Sequence, residues 1–386
     1  MEYNRLYAKI DLDAIGKNVS EVRKRIPDKT KIMAIIKANA YGHGATVVAE
    51  YLEDKADWFG VAALDEALEL RRAGTKKDIL VLGCLDPAEL QAAAENDITI
   101  TIANSTVAEK LSAICCENGL TADIHIKLDT GMSRIGFRPD AESVDEVERI
   151  SRLEGIRITG IFTHFAIADI RDKTSAKTQR ELYDSFIADC RERGLEFSVC
   201  HINNSAATME LDRHYDMVRM GIMLYGLYPS EEMDKSFPLH PAMELIGHVS
   251  FVKKLEKGRG VSYGHTYIAD KDMKVATVTC GYADGYPRCL SNKSCVLISG
   301  KRCPIIGRIC MDQFMVDVTM LDCVKAGDEV VLVGRMGDEY IPVEEPAELA
   351  YSFNYEFVCS VSRRVPRVYF KNGKYFKTEN YLLTDK

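Results

Sequence analysis

Between residues 31 and 221, short apolar runs rich in isoleucine and valine alternate with longer segments of helical periodicity. Such alternation is typical of repeated βα units and predicts a parallel sheet flanked by helices. There are eight runs, the number that closes a (β/α)₈ barrel of the TIM type. An open doubly wound sheet has the same alternation, so the prediction of a barrel depends on this count. The predicted strands are residues 31–36, 59–63, 79–83, 98–103, 123–128, 158–163, 198–202 and 217–221.

The alternation of strand and helix patterns ends at about residue 235, where a segment with two prolines follows. Short β-rich runs follow, and Asn372-Gly373 between two aromatic runs predicts a tight hairpin. We therefore predict an α/β protein with an N-terminal barrel domain, residues 1–235, and a mainly antiparallel β domain, residues 236–386. The first ten residues or so are candidates for pairing with the β domain. The predicted β runs are 249–255, 275–279, 296–299, 315–318 and 329–333, with one short helix at 344–352.

The composition argues against several classes of protein. A chain of 386 residues is longer than one hydrophobic core usually serves. Its formal charge of −8 offers no broad positive field for nucleic acid or an anionic membrane, and no apolar run is long enough to span a bilayer. Twelve cysteines are scattered without the spacing of a disulfide framework or a metal site. We expect a cytoplasmic protein with reduced thiols and no bound metal.

Polar side chains follow five of the eight predicted strands. In a (β/α)₈ barrel the carboxyl ends of the strands meet at one rim, which carries the active site. Each residue alone is more often a surface cation or a structural histidine, but cationic and amide groups that converge on one rim favour an anionic small molecule. These residues are Lys37, Lys127, Arg134, His164, Asn203, Asn204, Ser205, Arg219 and Gly221.

Lys37 and two backbone segments suggest what that small molecule is. Lys37 follows the apolar run 32–36, where partial desolvation lowers the pKa of an ammonium group and frees the nucleophilic amine that a Schiff base requires. Ser205 at a helix start and the turn after the eighth strand offer N–H groups at the usual phosphate position of such barrels.

Residues 37–44, Lys-Ala-Asn-Ala-Tyr-Gly-His-Gly, resemble the cofactor-lysine motif of the alanine racemases, which are pyridoxal-phosphate enzymes of fold type III. Further motifs that resemble this family span nearly the whole chain in order. A single motif is a weak signal, whereas nine in sequence are specific. The other eight are residues 127–136, 163–165, 201–206, 219–222, 260–265, 281–288, 307–313 and 354–356.

The resemblance implies a pyridoxal 5′-phosphate enzyme that interconverts L-alanine and D-alanine and supplies D-alanine for peptidoglycan. It implies a two-base mechanism, with Lys37 on the D face and Tyr263 of the partner subunit on the L face. The protein would then be a homodimer with composite active sites. His164 would orient the tyrosine, and Arg219 would face the pyridine nitrogen.

The resemblance also assigns the remaining binding residues. Substrate would contact Arg134, the backbone of Met311, Tyr263 and Tyr282. Lys127 matches a lysine that is carbamylated in some members of the family. The cofactor, and in most cases its phosphate, would be held by Tyr41, Asn204, Ser205, Gly221, Ile222 and Tyr355.

Two alternatives stay open at the level of sequence. Serine racemases of the vancomycin-resistance type share most of the motifs, but they have asparagine at the position of Tyr355 and lack the segment 204–206 found here. A non-catalytic pyridoxal-phosphate carrier also uses a barrel lysine, but such carriers lack a second domain. Fold alone does not decide between these functions.

Overall fold

The computed structural model describes residues 5–383. The described chain forms two compact units. The first, here called the barrel unit, consists of Ala14–Ala40 and Ala45–Pro241. The second, the β unit, consists of the described residues up to Asp13, Tyr41–Gly44 and the described residues from Ala242 onwards.

The barrel unit contains eight parallel strands in the order β8-β7-β6-β5-β4-β3-β2-β9. The two end strands meet, because Arg219 N donates to Asn203 O at 3.0 Å and Asp216 N donates to Cys200 O at 3.1 Å. The strands are β2 (Lys31–Ile35), β3 (Trp58–Val61), β4 (Asp78–Val81), β5 (Ile98–Ile102), β6 (Ala122–Lys127), β7 (Ile156–Phe162), β8 (Val199–His201) and β9 (Met217–Met220).

Helices follow most of these strands and cover the outside of the sheet. Because both faces of each strand are covered, strands such as β5 are buried at every residue. Local signals set helix ends: Asn104 caps α6 through Val107 N, and Gly119 ends it at φ 65°. The helices are α1 (Leu12–Arg23), the single turn α2 (Lys37–Tyr41), α3 (Ala45–Leu52), α4 (Leu64–Arg72), α5 (Leu90–Glu95), α6 (Ser105–Asn118), α7 (Ala141–Ser151), α8 (Thr174–Glu192) and α9 (Ser205–Glu210).

The β unit is built on a mostly antiparallel ten-stranded sheet, in the order β18-β17-β14-β15-β16-β13-β10-β1-β19-β20. Strand β10 also pairs with β17, which closes six of the strands into a ring. The strands are β1 (Leu6–Asp11), β10 (Met243–Leu255), β11 (Gly260–Val261), β12 (Tyr267–Ile268), β13 (Met273–Val278), β14 (Cys295–Ile298), β15 (Lys301–Ile306), β16 (Phe314–Asp317), β17 (Glu329–Met336), β18 (Glu339–Ile341), β19 (Arg367–Lys371) and β20 (Lys374–Glu379).

Two short helices, α10 (Glu344–Leu349) and α11 (Asn354–Ser360), complete the β unit. Strand β1 pairs antiparallel with β10 and parallel with β19, so the amino-terminal strand is part of this sheet. The hairpin of β19 and β20 turns at Asn372 and Gly373, both with positive φ.

The predicted fold class, a (β/α)₈ barrel followed by a mainly antiparallel β domain, is confirmed. Each of the eight apolar runs in residues 31–221 is a strand of one parallel sheet. Within residues 5–383, no helix is long and apolar enough to cross a membrane.

Candidate active site

The rim of the barrel unit gathers the polar residues that the strand-end pattern predicted. Lys37 follows β2, Lys127 ends β6, His164 follows β7 and Arg219 lies in β9. Because the eight strands are parallel, their carboxyl ends share this rim. Arg134 lies in the loop after β6, Asn204 and Ser205 lie at the start of α9, and Gly221 and Ile222 follow β9.

Arg219 connects the strands of this rim. Its side chain is buried, and its Nη atoms donate to Nδ1 of His201 at 3.0 Å and to Nδ1 of His164 at 3.2 Å. Three carbonyl oxygens, those of Thr163, His201 and Ile202, also accept from it. All these acceptors are uncharged dipoles. Burial lowers the pKa of Arg219 to about 10, so the guanidinium stays charged at neutral pH.

The contacts of Arg219 define the tautomers of His164 and His201. A guanidinium has only donor hydrogens, so Nδ1 of each histidine must accept. Both rings are neutral, because burial and then the charge of Arg219 lower the pKa of each well below its ordinary value. The proton of each ring is therefore on Nε2. His164 consequently presents an N–H donor on the side of its ring away from Arg219.

His201 and His125 extend this chain of hydrogen bonds into the barrel core. Nε2 of His201 donates to Nδ1 of His125 at 3.0 Å, and Phe162 stacks on His201 with 4.8 Å between ring centroids. Burial, followed by nearby cations, lowers the pKa of His125 to about 3. The sequence did not assign a role to either histidine. His201 ends its strand, which was an available signal, whereas His125 lies within β6 and has no such signal.

Lys127 is a buried lysine beside this network. It is 2% exposed, and Nζ donates to the carbonyl oxygens of Leu128 and Ile135. Burial lowers the pKa of Lys127 to about 8, against the opposing charge of Asp129. A measurable fraction of the side chain is therefore an uncharged amine near neutral pH.

Lys37 begins a left-handed turn. The four residues after it, 38–41, have φ between 50° and 54°. This conformation costs about 1–2 kcal/mol per L-residue, so the surrounding structure must stabilise it. Ala38 N donates to Glu66 Oε1 at 2.6 Å, and Asn39 Oδ1 accepts from Ala45 N at 2.8 Å. These bonds hold the backbone next to Lys37.

The segments predicted to bind phosphate come together at the start of α9 and the end of β9. Ser205 Oγ accepts from Gly221 N at 3.0 Å and from Met223 N at 3.4 Å. Asn204 Oδ1 caps α9 by accepting from Ala207 N at 3.0 Å. Several N–H groups thus converge here, and Ser205 bonds two of them in this structure.

The β unit has a first group of predicted site residues at Tyr41 and Tyr355, whose ring centroids are 6.0 Å apart. Tyr41 is buried, and this burial raises its pKa. Gly42 follows with φ 82°, and a Cβ there would lie 2.1 Å from Val358 O. The backbone of the turn therefore packs directly against α11, which has Tyr355 in its first turn.

A second group in the β unit consists of Tyr263, Tyr282 and Met311, which are exposed by 68%, 42% and 52%. The backbone around them is held tightly. Ser262, which precedes Tyr263, has φ 61°, and its Oγ donates to Arg308 O at 2.6 Å. The residue after Tyr282 donates its N–H to Met311 O at 3.0 Å. These large side chains are thus exposed on a fixed backbone.

Comparison with known proteins agrees with the two-unit fold. The family model for the alanine racemase N-terminal domain matches residues 10–229, and the model for the alanine racemase C-terminal domain matches residues 242–369. A pyridoxal-phosphate carrier made of the barrel alone has no counterpart of the second match.

Relatives and solved structures cover nearly the whole chain. An alanine racemase of Desulforamulus reducens is 47% identical over 367 residues, which are 94% of this chain and 98% of that protein. An alanine racemase of Methanococcus maripaludis is 46% identical over the same shares. The alanine racemase of Clostridium difficile 630 superposes with a TM-score of 0.95 at 39% identity, covering 98% of this chain and 99% of that one. The alanine racemase of Bacillus anthracis with bound L-Ala-P gives 0.93 at 39% identity, covering 99% of each chain. The chain therefore belongs to the alanine racemase family of enzymes.

Proposed function

We propose that the protein is a homodimeric, pyridoxal-phosphate-dependent enzyme that racemises alanine with two bases, Lys37 and Tyr263 of the partner subunit. The observation that carries this proposal is the hydrogen bond from Arg219 to Nδ1 of His164. It leaves His164 with a donor that can stabilise a tyrosine phenolate.

The residues of the barrel rim fit pyridoxal phosphate. When bound, this cofactor supplies an electron sink that makes the Cα proton of an amino acid acidic enough to be removed. Lys37 would bind it covalently, and Arg219 would face the pyridine nitrogen. Since a guanidinium only donates, that nitrogen would accept a hydrogen bond and stay unprotonated. The phosphate would be held at the start of α9 and the end of β9, by Ser205, Gly221 and Ile222, with Asn204, Tyr41 and Tyr355 as further contacts.

Tyr263, the proposed second base, would require nearby groups that stabilise its phenolate. Free tyrosine has a pKa of about 10, so a phenolate at neutral pH requires about 4 kcal/mol of preferential stabilisation. His164 Nε2–H would donate to the oxygen of the partner's Tyr263 and supply part of it. Arg219, which fixes the tautomer of His164, would keep that donor in place. Lys37 would hold or release the proton on the opposite face.

Three residues are proposed to bind the substrate. Arg134 would bind the carboxylate, assisted by the backbone of Met311 and by Tyr282. Lys127 would be carbamylated, which its lowered pKa and partial uncharged fraction support. Enrichment of the protein in ¹³C-bicarbonate would test this, because a carbamate carbon gives its own NMR signal that is absent in Lys127→Ala.

Exposure of large side chains supports the dimer. Tyr263, Tyr282 and Met311 would lose contact with water against a second subunit. All twelve cysteines are free thiols, which fits the reducing cytoplasm proposed for the enzyme. The D-alanine formed would serve peptidoglycan synthesis, and rescue of a D-alanine auxotroph would test that role.

The first experiment is a visible spectrum of the purified protein with an assay of D-alanine from L-alanine and of D-serine from L-serine. An absorbance band of bound cofactor together with alanine turnover is expected. A band without turnover on either substrate would instead support a carrier, and faster turnover of serine would support a serine racemase.

The composite site is tested by mixing two inactive variants, Lys37→Ala and Tyr263→Ala. In a mixed dimer, one site has both defects and the other has none, because each site takes one residue from each subunit. Random exchange of subunits would restore about a quarter of native activity. No recovery in proven mixed dimers would contradict a site shared between subunits. Tyr263→Ala alone should keep the cofactor band and lose proton exchange from L-alanine.

A further inference from the structure

The loop between β6 and α7 carries Arg134 and is folded back on itself. Its two ends are tied by backbone hydrogen bonds, Asp129 N to Phe137 O at 2.8 Å and Phe137 N to Lys127 O at 2.9 Å. Gly136 permits this closure, since a Cβ there would lie 2.7 Å from Lys127 O. Arg134 itself is exposed, so packing does not hold its side chain in place.

The backbone of this loop wraps around the carboxylate of Asp129. Oδ1 accepts from the amides of Gly131, Met132 and Ser133 at 2.9–3.0 Å, and Oδ2 accepts from Arg134 N at 2.9 Å. Bonds between a carboxylate and backbone N–H groups are stronger than neutral ones. The side chain of Asp129 is thus fully engaged by the loop's own backbone.

The winding requires unusual backbone angles, which the carboxylate stabilises. Gly131 has φ 142° and Ser133 has φ 56°, a region that serine seldom adopts. Burial alone would raise the pKa of Asp129, but the amide hydrogen bonds outweigh it and lower the pKa. The carboxylate is therefore ionised at neutral pH.

Two further side chains, those of Lys127 and Gln179, hold the loop through hydrogen bonds. On its carbonyl side, Nζ of the unmodified Lys127 donates to the oxygens of Leu128 and Ile135. On the other side, the buried Gln179 donates from Nε2 to Thr130 Oγ1 and to His164 O, both at 3.1 Å. The loop is thus joined to the backbone of His164.

We infer that Asp129 is a positioning residue that presents the guanidinium of Arg134 to the substrate's carboxylate. This inference rests on the proposed function of Arg134. A long, exposed arginine side chain loses conformational freedom when it pairs with a ligand, so a fixed backbone reduces the cost of pairing. Asp129 accepts a hydrogen bond from the backbone N–H of Arg134, which fixes the position of the backbone from which that side chain extends.

The test uses Asp129→Asn in the holoenzyme and two ligands, each of which lacks one group of alanine. Asparagine keeps one oxygen for the amides of residues 131–133 and places an NH₂ against the N–H of Arg134, so the bond at Arg134 is the one lost. Propionate has the carboxylate without the amine, and ethylamine has the amine without the carboxylate. Affinities are measured by calorimetry, with KM and kcat for both alanine enantiomers.

We expect propionate to bind about tenfold more weakly, equivalent to about 1.4 kcal/mol, and the KM for both enantiomers to rise, with ethylamine affinity and the cofactor band unchanged. Asp140→Asn is the matched control, because the Asp140 carboxylate caps α7 through Ser143 N at 3.0 Å and pairs with the exposed Arg138. This variant should bind propionate and ethylamine with native affinity.

Three results would overturn the inference in distinguishable ways. Native propionate affinity in Asp129→Asn would show that Asp129 does not position Arg134. Equal weakening of propionate and ethylamine, with a lower melting temperature, would show a general structural defect. Native propionate affinity in Arg134→Ala would remove the proposed function of Arg134 itself, on which the inference depends.

Discussion

The barrel rim and the exposed loops of the β unit differ in how their functional groups are held. At the rim and in the barrel core next to it, Arg219, His201 and His125 are buried, and their hydrogen bonds join β9, β8 and β6. In the β unit, Tyr263 and Met311 are more than half exposed, although the backbone beside them is fixed. The hydrogen bonds described at the rim form within one chain, whereas the exposed side chains are those that we propose to contact a second subunit.

This difference is consistent with the different functions that we propose for the two regions. The rim has the groups that we propose to bind a cofactor and that set the protonation states of His164 and His201, which a single folded chain can preorganise. The exposed loops have groups that would act on another subunit's site, and dimer formation would then control when they do so. The following predictions test each side of the comparison, beginning with the largest effect.

Replacing Lys37 by alanine should lower activity by a factor of about a thousand or more, because the proposed cofactor lysine and one of the two proposed bases would be lost together. The visible band should disappear while far-ultraviolet circular dichroism stays native. Lys17→Ala, which changes an exposed lysine of α1, is the control and should behave as the native enzyme. Residual activity within tenfold of native would contradict the assignment of Lys37.

Replacing Arg219 by lysine should lower kcat about a hundredfold, as expected when preorganised donors are removed. Lysine cannot reach two histidines and three carbonyls at once, so the tautomer of His164 should no longer be fixed. ¹⁵N NMR of the ring nitrogens would detect a proton at Nδ1. Arg213→Lys is the control, since Arg213 forms an exposed pair with Asp184. An unchanged Nε2–H tautomer in Arg219→Lys would contradict the geometric argument.

The buried neutral histidines predict that the barrel loses stability in mild acid. The pKa values of His125, His164 and His201 are lowered in the folded state, so the unfolded chain binds more protons below about pH 6.5. Their contribution is complete above that pH and falls as pH decreases, by about 1.4 kcal/mol per unit for each histidine that stays neutral.

Urea unfolding followed by fluorescence would measure this pH dependence. Trp58, the single tryptophan, lies in β3 with its ring centroid 5.3 Å from that of His125, so its emission reports on the barrel. His125→Gln should reduce the slope of unfolding free energy against pH by about one third. An unchanged slope in this variant would show that other groups cause the acid sensitivity.

Replacing Tyr282 by phenylalanine should have the smallest effect, a rise in KM of at most about threefold with kcat unchanged. Its ring stays, and only a hydroxyl on a partly exposed side chain is lost. Tyr351→Phe, at a position that is 88% exposed and has no assigned role, is the matched control. A larger rise in KM, or a fall in kcat, in Tyr282→Phe would indicate that the Tyr282 hydroxyl contacts the substrate directly.

Much of the fold could be predicted because its signals are local. Strand β5 is a run of β-branched isoleucine and threonine, and β19 and β20 flank an Asn-Gly turn, so β propensity and turn chemistry identify them within a few residues. The strand-end rule also identified Lys37, His164 and Arg219 as site candidates. The handedness of the turn after Lys37 was not predictable, since alanine and asparagine there favour right-handed helix or turn by themselves.

The sequence by itself determined the alternation of strands and helices, the order of the two domains and which residues end each barrel strand. Only the tertiary structure decided that Glu66 holds Ala38, that Gln179 joins Thr130 to His164, and that Arg219 defines the tautomers of two histidines. The physical reason is distance along the chain. Periodicity reports on neighbours within a few residues, whereas these hydrogen bonds join groups 15 to 55 positions apart, which meet only when the barrel closes.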